Sequence, residues 1–201
     1  MDQAAATGPL SCGGRSVGQA ASGNGWRPLF QRFQSRADEI APGLAAVIEQ
    51  ELDELEAQWP GGLEQGVIHA DLFPDNVFFL SDRLSALIDF YFACNDAFSY
   101  DIAITLNAWC FEADHAFNIT KARALLRGYQ NVRALAARER DALPLLARGA
   151  ALRFLLTRAH DWLHTPKDAL VRPHDPIDYL RRLKFHRGIR APSEYGLTDG
   201  S

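Results

Sequence analysis

The most informative stretch of the sequence is Val67-Ile68-His69-Ala70-Asp71-Leu72-Phe73-Pro74-Asp75-Asn76-Val77, and a later apolar run ends in Ile88-Asp89-Phe90. Apolar runs of β type flank its polar residues. These predicted strands are Gly66 to His69, Val77 to Leu80 and Leu84 to Ile88, with Ser81-Asp82-Arg83 as a tight turn between the last two. The polar residues therefore lie where strands end.

The remainder of the chain has helical patterning. Apolar residues recur at three- and four-residue steps from Leu44 to Trp59, which indicates an amphipathic helix. Further helices are predicted near Tyr100 to Phe111, Lys121 to Asn131, about Pro144 to His164, and from Asp175-Pro176, with Thr120 and Asp175 as N-caps. The predicted fold class is α+β, mainly α, in which a helical body holds a small antiparallel β-hairpin.

Composition restricts the class of protein. The chain has 201 residues, 47% hydrophobic and 23% charged, which is typical of one globular domain or one lobe of a larger fold. A net charge of -4 argues against general nucleic-acid binding, and no apolar run is long enough to span a membrane. We expect a cytoplasmic protein whose Cys12, Cys94 and Cys110 are reduced; composition leaves the oligomeric state open.

The ends of the chain differ from its middle. Residues 1–25 contain few large apolar side chains, so we expect them to be disordered and unrelated to the fold. Their glycine-rich run Cys12 to Gly18 lacks the flanking strand and helix of a phosphate-binding loop. The sequence predicts a folded domain over 26–190 and a flexible tail over 191–201.

The pattern H-x-D-x-x-x-x-N followed by I-D-F is suited to phosphoryl transfer from ATP. Asp71 is the candidate base that would orient or deprotonate an acceptor hydroxyl. Asn76 and Asp89 are the candidate Mg²⁺ ligands, since Mg²⁺ prefers oxygen donors. His69 is expected to organise the loop through a hydrogen bond to backbone near Asp89, although an acid or base role is the alternative. Ordinary polar turn residues would be the structural explanation of the same pattern.

A second pattern, His160-Asp161-Trp162-Leu163-His164, is close to a zinc-protease motif. Asp replaces the Glu of that motif, and no third ligand is evident. Helix packing is therefore the preferred interpretation. Trp109 and Trp162 are likewise expected in the core, with a pocket wall as the alternative.

The catalytic stretch resembles the aminoglycoside phosphotransferase and choline kinase superfamily, which is related to protein kinases. The run from His69 to Phe79 and the run from Leu87 to Asp96 are similar to bacterial homoserine kinases of the kinase-like type. Shorter similar stretches extend the resemblance over about 26–187: Gly25 to Phe30, Tyr100 to Ala103, Leu106 to Phe111, Phe117 to Leu126, and Arg148 to Trp162.

This resemblance implies the C-terminal lobe of a protein-kinase-like fold. It implies Asp71 and His69 as catalytic-loop residues, Asn76 and Asp89 as ligands of Mg²⁺ and thereby of ATP, and L-homoserine as the acceptor, in threonine biosynthesis. Homoserine is a zwitterion, so its pocket needs one anionic and one cationic partner. The candidates are Asp96 or Glu112 for the ammonium and Arg153 or Arg158 for the carboxylate.

The resemblance also indicates what the sequence lacks. The nucleotide-binding N-terminal lobe of this superfamily carries a strand lysine, whereas the first lysine here is Lys121. We therefore expect a truncated chain with impaired turnover. The alternatives are a noncatalytic remnant that binds acceptor or metal, and a kinase for a related amino alcohol or aminoglycoside.

Overall fold

The computed structural model describes residues 25–166 and 168–197. Four short strands and six α-helices make up the regular structure. In chain order they are α1 (Trp26–Gln31), α2 (Leu44–Gln58), β1 (Gln65–Ile68), β2 (Val77–Leu80), β3 (Arg83–Leu87), β4 (Cys94–Ala97), α3 (Phe98–Trp109), α4 (Ile119–Gln130), α5 (Ala137–His164) and α6 (Ile177–Gly188). Residues 1–24, for which disorder is predicted, lie outside the described residues.

Helix α5 is the centre of the fold, and α1, α2, α3 and α6 all pack against it. Small side chains such as Ala147, Ala150 and Ala151 are fully buried along α5, which allows neighbouring helices to approach closely. At Gly149 the approach is closest, because an added Cβ would lie 2.3 Å from the Trp59 ring and 2.8 Å from the Trp26 ring. These two indoles meet edge to face, with centroids 4.9 Å apart.

The strands form two separate antiparallel pairs, β1 with β4 and β2 with β3. The three predicted strands are present, each within one residue of its predicted start. β4 was not predicted, because Cys94-Asn95-Asp96-Ala97 has no β-type alternation. It pairs with β1 from Gln65 opposite Ala97 to Ile68 opposite Cys94, and it leads directly into α3. This pairing brings the start of α3 beside the end of β1.

Two predicted helix starts are wrong. Helix α5 begins at Ala137 rather than near Pro144, and Glu139 accepts a hydrogen bond from the Ala136 N–H ahead of its first turn. Pro144 lies inside the helix, where flanking turns buried against α3 and α6 offset the missing hydrogen bond. Helix α4 is capped by Asn118, whose Oδ1 accepts from the Lys121 N–H, and not by Thr120.

The β2–β3 hairpin is the most exposed part of the described fold. Every residue from Phe78 to Tyr91 is exposed, including Phe79 at 56% and Leu80 at 75%. Patches of this kind on a folded domain are typical of surfaces that contact another domain or protein. The hairpin therefore presents an apolar face beside the loop that carries Asp89.

The described part of the predicted tail packs against the helical body. A short 3-10 helix spans Pro192–Tyr195, and the side chains of Tyr195 and Leu197 are buried. Tyr195 contacts His186 of α6, whose Nδ1 is 2.7 Å from the Tyr195 hydroxyl. The sequence predicts flexibility over 191–201, whereas residues 191–197 belong to the folded body.

His186 is fully buried in a hydrogen-bonded network. The Asn107 side-chain NH₂ donates to the carbonyls of Ala103 and Ala147, so its Oδ1 accepts from His186 Nε2, at 3.2 Å. The Tyr195 hydroxyl then donates to Nδ1, and the imidazole is neutral. Burial, reinforced by the positive charge of Arg182, lowers the pKa of His186 to about 3.

We expect Gly149→Ala to lower the free energy of unfolding by about 1–3 kcal/mol, because the two indole rings cannot move aside without disturbing the core. Gly128→Ala is the matched control. It lies in α4 with open space around it, so the same change should stabilise the protein by about 0.5–1 kcal/mol. Urea denaturation of both variants measures the difference, and equal effects would contradict the close packing.

We expect the stability of the protein to fall as the pH is lowered from about 6 towards 4.5, in part because of His186. The unfolded state binds a proton on this histidine below its ordinary pKa of about 6.5, while the folded state does not, so acid favours unfolding. The slope from one such group is about 1.4 kcal/mol per pH unit. His186→Gln should show a shallower dependence than wild type, and His174→Gln, at an exposed position, should not. Parallel slopes for all three proteins would refute the assignment.

Candidate functional site

The catalytic loop begins where β1 ends, and its first turn is held by α3. Asp101, in the first turn of α3, accepts hydrogen bonds from the His69 N–H at 3.1 Å and from the Ala70 N–H at 2.9 Å. Ala70 has a left-handed backbone conformation, with φ of 60°, which is unfavourable for a residue with a Cβ. The carboxylate of Asp101 thus stabilises a strained turn directly before Asp71.

The same turn is held from the opposite side by α5. Arg153 is buried, and its Nη1 donates to the Ala70 carbonyl at 2.6 Å. The guanidinium carbon also lies 4.7 Å from the centre of the Phe154 ring. Ala70 therefore meets an anion at its N–H and a cation at its carbonyl.

His69 links the catalytic loop to the segment that carries Asp89. Its Nε2 lies 2.9 Å from the Ile88 carbonyl, which can only accept, so Nε2 carries the proton. The predicted hydrogen bond to backbone near Asp89 is confirmed. The imidazole also contacts the Phe90 ring, with centroids 4.6 Å apart. This geometry matches the loop-organising interpretation of His69.

Asn76 is fixed by two backbone contacts. Its side-chain NH₂ donates to the Asp71 carbonyl at 2.8 Å, and its own carbonyl accepts from the Ile88 N–H at 3.1 Å. Because the NH₂ is used in this way, the Oδ1 is oriented as an acceptor, and it has no hydrogen bond to any described residue. Asn76 therefore presents an oxygen ligand between the Asp71 and Asp89 segments.

Asp71 and Asp89 lie close enough for their charges to interact. Burial raises the pKa of Asp71, the negative charge of Asp89 raises it further, and the positive charge of Arg153 opposes both. Asp89 has a left-handed backbone, with φ of 59°, which Asp tolerates better than most residues. The site thus concentrates negative charge on oxygen atoms that face a cavity.

These oxygen donors fit a magnesium ion better than a transition metal. Asn76 supplies an amide oxygen, Asp89 a carboxylate, and both line the same cavity. Within 25–166 and 168–197, no three His, Cys, Asp or Glu side chains group into a metal site. Mg²⁺ is commonly held by one or two protein ligands together with substrate phosphates. The donor set therefore fits an ion that a phosphate substrate helps to bind.

A cavity of about 680 Å³ adjoins this loop. Asp71, Asn76 and Asp89 form one wall of it. The rest is lined by residues of α1 and α5 and by the segments near them, namely Gly25, Pro28, Leu29, Arg32, Phe73, Asp75, Tyr91, Phe92, Arg153, Phe154, Thr157, Arg158, His160, Asp161 and His174. A volume of this size accommodates a small polar substrate together with part of a second one.

The cavity separates the acceptor-pocket candidates. Arg153 and Arg158 line it, whereas Asp96 and Glu112 do not. Asp96 accepts a hydrogen bond from the Ala97 N–H, and Glu112 forms an exposed ion pair with Lys121 at 2.8 Å. Both acids are therefore engaged elsewhere, and the structure does not support either as an ammonium partner within this cavity.

Sequence reasoning did not assign several charged or polar residues of the cavity to the site, among them Arg32, Asp161 and His174. Asp161 could have been found from helical spacing, because it lies three residues after Arg158 and shares its face of α5. Arg32 and His174 come from segments far away in sequence, and no local pattern links them to Asp71. Only the packing of α1 and of the chain before α6 on α5 brings them here.

The other singled-out residues have structural contacts. Trp109 Nε1 donates to the Leu72 carbonyl at 2.9 Å, which holds the catalytic loop, and Trp162 is largely exposed. The rings of His160 and His164 stack with centroids 4.3 Å apart, and His164 Nδ1 contacts the His160 carbonyl. Cys94 and Cys110 are buried reduced cysteines, and Cys12 lies outside the described residues. Among the described residues, no helix is long and apolar enough to cross a membrane.

Comparison with known proteins identifies a family. Residues 11–135 match the APH model, described as a phosphotransferase enzyme family. The chain is 65% identical over 179 residues to a homoserine kinase of Azorhizobium caulinodans, covering 89% of this chain and 56% of that protein. It is 62% identical over 179 residues to a homoserine kinase of Rhizobium johnstonii, with the same shares covered. The chain therefore spans about half the length of the curated relatives it matches.

A solved structure shares the fold. Plasmodium vivax ethanolamine kinase superposes with a TM-score of 0.60 at 15% sequence identity, covering 87% of this chain and 50% of that chain. At this identity the similarity concerns the fold alone. The predicted fold class, a mainly helical kinase-like lobe with small antiparallel sheets, is confirmed.

We expect Asp101→Asn to loosen the turn before Asp71, because the two N–H groups bind different carboxylate oxygens and an amide can accept through only one of these two atoms. The cost should be about 1.5–3 kcal/mol of local stability. Hydrogen exchange at the His69 and Ala70 amides should accelerate by roughly 10- to 100-fold. Asp114→Asn is the control, since Asp114 accepts from a backbone N–H in an exposed turn. Unchanged exchange in Asp101→Asn would show that the turn is held by other contacts.

Proposed function

Because the chain belongs to the APH phosphotransferase enzyme family, we propose that it carries the acceptor- and metal-binding part of a kinase that transfers phosphate from ATP to the hydroxyl of L-homoserine. The proposal takes the substrate from the relatives named homoserine kinase. One structural observation carries the reaction type: Asp71, Asn76 and Asp89 meet on one wall of one cavity. This reaction would belong to threonine biosynthesis.

In the proposed reaction Asp71 acts on the acceptor. Its carboxylate accepts a hydrogen bond from the homoserine hydroxyl and takes the proton as the oxygen attacks the γ-phosphorus of ATP, with ADP leaving. The raised pKa of Asp71 improves it as a proton acceptor. The hydrogen bonds of Asp101 and Arg153 to the backbone of Ala70 keep this carboxylate in place. Positioning supplies much of the rate in reactions of this type.

Asn76 and Asp89 are the proposed holders of Mg²⁺. The ion would neutralise phosphate charge next to the carboxylates. The amide oxygen of Asn76 and the carboxylate of Asp89 would present it towards the cavity. His69 keeps the two segments in register by its hydrogen bond to the Ile88 carbonyl.

Binding of the nucleotide is the part of the proposed function that the described residues support least. The arginines that line the cavity are Arg32, Arg153 and Arg158, and no described lysine lies there. The curated relatives extend well beyond the half that this chain spans. We therefore propose that turnover by this chain is weak, because groups that position the phosphates of ATP belong to the remainder of such proteins.

A binding module without turnover is the second candidate. It is favoured by the exposed apolar face of the β2–β3 hairpin next to Asp89. Such a protein would bind homoserine or Mg²⁺ and perform no transfer. A kinase for a related amino alcohol or aminoglycoside differs only in acceptor, and the same assay distinguishes it.

The deciding experiment incubates the purified chain with ATP, Mg²⁺ and L-homoserine and measures ADP formation. We expect slow turnover that Asp71→Asn reduces by about 10²- to 10⁴-fold. Asp82→Asn, in the exposed hairpin turn and outside the cavity lining, is the matched control and should leave the rate unchanged.

Three results are distinguishable. ADP formation that depends on homoserine and on Asp71 supports the kinase. Homoserine binding without ADP supports the binding module. Faster turnover with ethanolamine or an aminoglycoside than with homoserine would reassign the acceptor.

A further inference from the structure

One face of α5 lines the cavity as a continuous stripe. Phe154, Thr157, Arg158 and Asp161 have the spacing i, i+3, i+4 and i+7, and all four line the cavity. The Phe154 end lies at the catalytic loop, because its ring packs on Phe73 with centroids 5.0 Å apart. Asp161 lies seven residues further, about 10 Å along the helix axis.

Arg158 is a partly buried cation, and one edge of its guanidinium group makes no hydrogen bond to a described residue. Its side chain is only 16% exposed, and its guanidinium carbon lies 4.5 Å from the centre of the Tyr179 ring. Nη1 makes long contacts, 3.4 Å to the Asp175 carbonyl and 3.6 Å to Asp178. Nε and Nη2 have no hydrogen bond to any described residue. That edge has the geometry that binds a carboxylate with two parallel hydrogen bonds.

Burial lowers the pKa of Arg158, and the neighbouring positive charge of Arg182 adds to this effect. The carboxylates of Asp178 and Asp175 oppose this lowering only in part, and the guanidinium stays charged at neutral pH. An anionic ligand in the cavity would restore the balance. Arg153 does not offer the same opportunity, because its side chain is buried, its Nε is inaccessible and its Nη1 donates to the Ala70 carbonyl at 2.6 Å.

Asp161 is the acidic group nearest to Arg158 on this face. The two residues are one helical turn apart and form no ion pair with each other, so the Asp161 carboxylate and the Nε and Nη2 edge of Arg158 remain available to a ligand. Asp161 is 67% exposed at the rim of the cavity, and its contact within the described structure is to the His160 ring, at 3.3 Å. A cation and an anion side by side match the two charges of an α-amino acid.

We propose that Arg158 and Asp161 form a receptor for the α-amino acid group of the acceptor, with the carboxylate on Arg158 and the ammonium on Asp161. This inference rests on the proposed function and assigns the acceptor subsite of the same cavity. Phe154 contacts the methylene groups, and the hydroxyl extends towards Asp71. Specificity for an amino acid over an amino alcohol then resides in Arg158.

The test measures binding to the full chain by calorimetry with four probes. L-Homoserine carries all three groups, 4-hydroxybutyrate lacks the ammonium, 3-aminopropan-1-ol lacks the carboxylate, and L-2-aminobutyrate lacks the hydroxyl. Wild type should bind L-homoserine and L-2-aminobutyrate most tightly. It should lose about 10- to 100-fold with 3-aminopropan-1-ol and about 3- to 10-fold with 4-hydroxybutyrate.

Variants assign each loss to its residue. Arg158→Gln should weaken L-homoserine and 4-hydroxybutyrate about 10- to 100-fold and leave 3-aminopropan-1-ol unchanged. Asp161→Asn should weaken L-homoserine and 3-aminopropan-1-ol and leave 4-hydroxybutyrate unchanged. Arg127→Gln and Asp141→Asn make the same changes at sites outside the cavity lining and serve as controls. If Arg158→Gln unfolds, Arg158→Lys replaces it and should still lose affinity, since a lysine cannot bind the carboxylate in the same two-point geometry.

The outcomes separate this inference from the proposed reaction. Binding of L-2-aminobutyrate that depends on Arg158 and Asp161, together with no ADP formation from L-homoserine, supports the receptor and contradicts the kinase. Homoserine phosphorylation or binding that both variants leave at control levels overturns the receptor and leaves the kinase intact. Absence of binding by all four probes overturns the receptor.

Discussion

The backbone of Ala70 is held by two side chains of opposite charge, and the geometry of the site depends on these two contacts. Asp101 of α3 binds its N–H, and Arg153 of α5 binds its carbonyl. Both helices pack in the buried core, so the side chains that hold the loop extend from well-packed elements. The left-handed conformation of Ala70 costs about 1–2 kcal/mol, and charge-assisted hydrogen bonds of this kind are strong enough to maintain it. Asp71 therefore projects into the cavity from a fixed position.

Arg153 has a second effect, which is electrostatic. Asp71 and Asp89 bring like charges together beside the cavity, and repulsion from the Asp89 carboxylate raises the pKa of Asp71. Arg153 opposes this repulsion from behind the loop while it supports the turn. The remaining negative charge faces the cavity, where a divalent cation would be favoured. Structural support and electrostatic tuning thus come from one side chain.

The cavity and the hairpin differ in how completely the described residues enclose them. Along α5 the cavity already holds apolar, cationic and anionic groups in sequence, as an acceptor of mixed polarity requires. On the hairpin, the large apolar residues beside Asp89 remain exposed among the described residues. The chain spans about half the length of its curated relatives. This difference agrees with the proposed function, in which the cavity binds the acceptor and a further part of such a protein would complete the nucleotide site.

The sequence by itself determined the strands of the hairpin, the approximate helices and the order of His69, Asp71, Asn76 and Asp89, because local spacing and side-chain chemistry encode these features. It missed β4, whose residues become a strand only by pairing with β1, and it misplaced the start of α5 at Pro144. The acceptor candidates Asp96 and Glu112 were chosen by charge, yet their side chains are engaged away from the cavity. Only tertiary packing fixes that Arg153 supports the catalytic loop while Arg158 and Asp161 line the cavity. The hydrogen bond between Arg153 and the Ala70 carbonyl joins residues 83 positions apart, and no pattern along the chain records it.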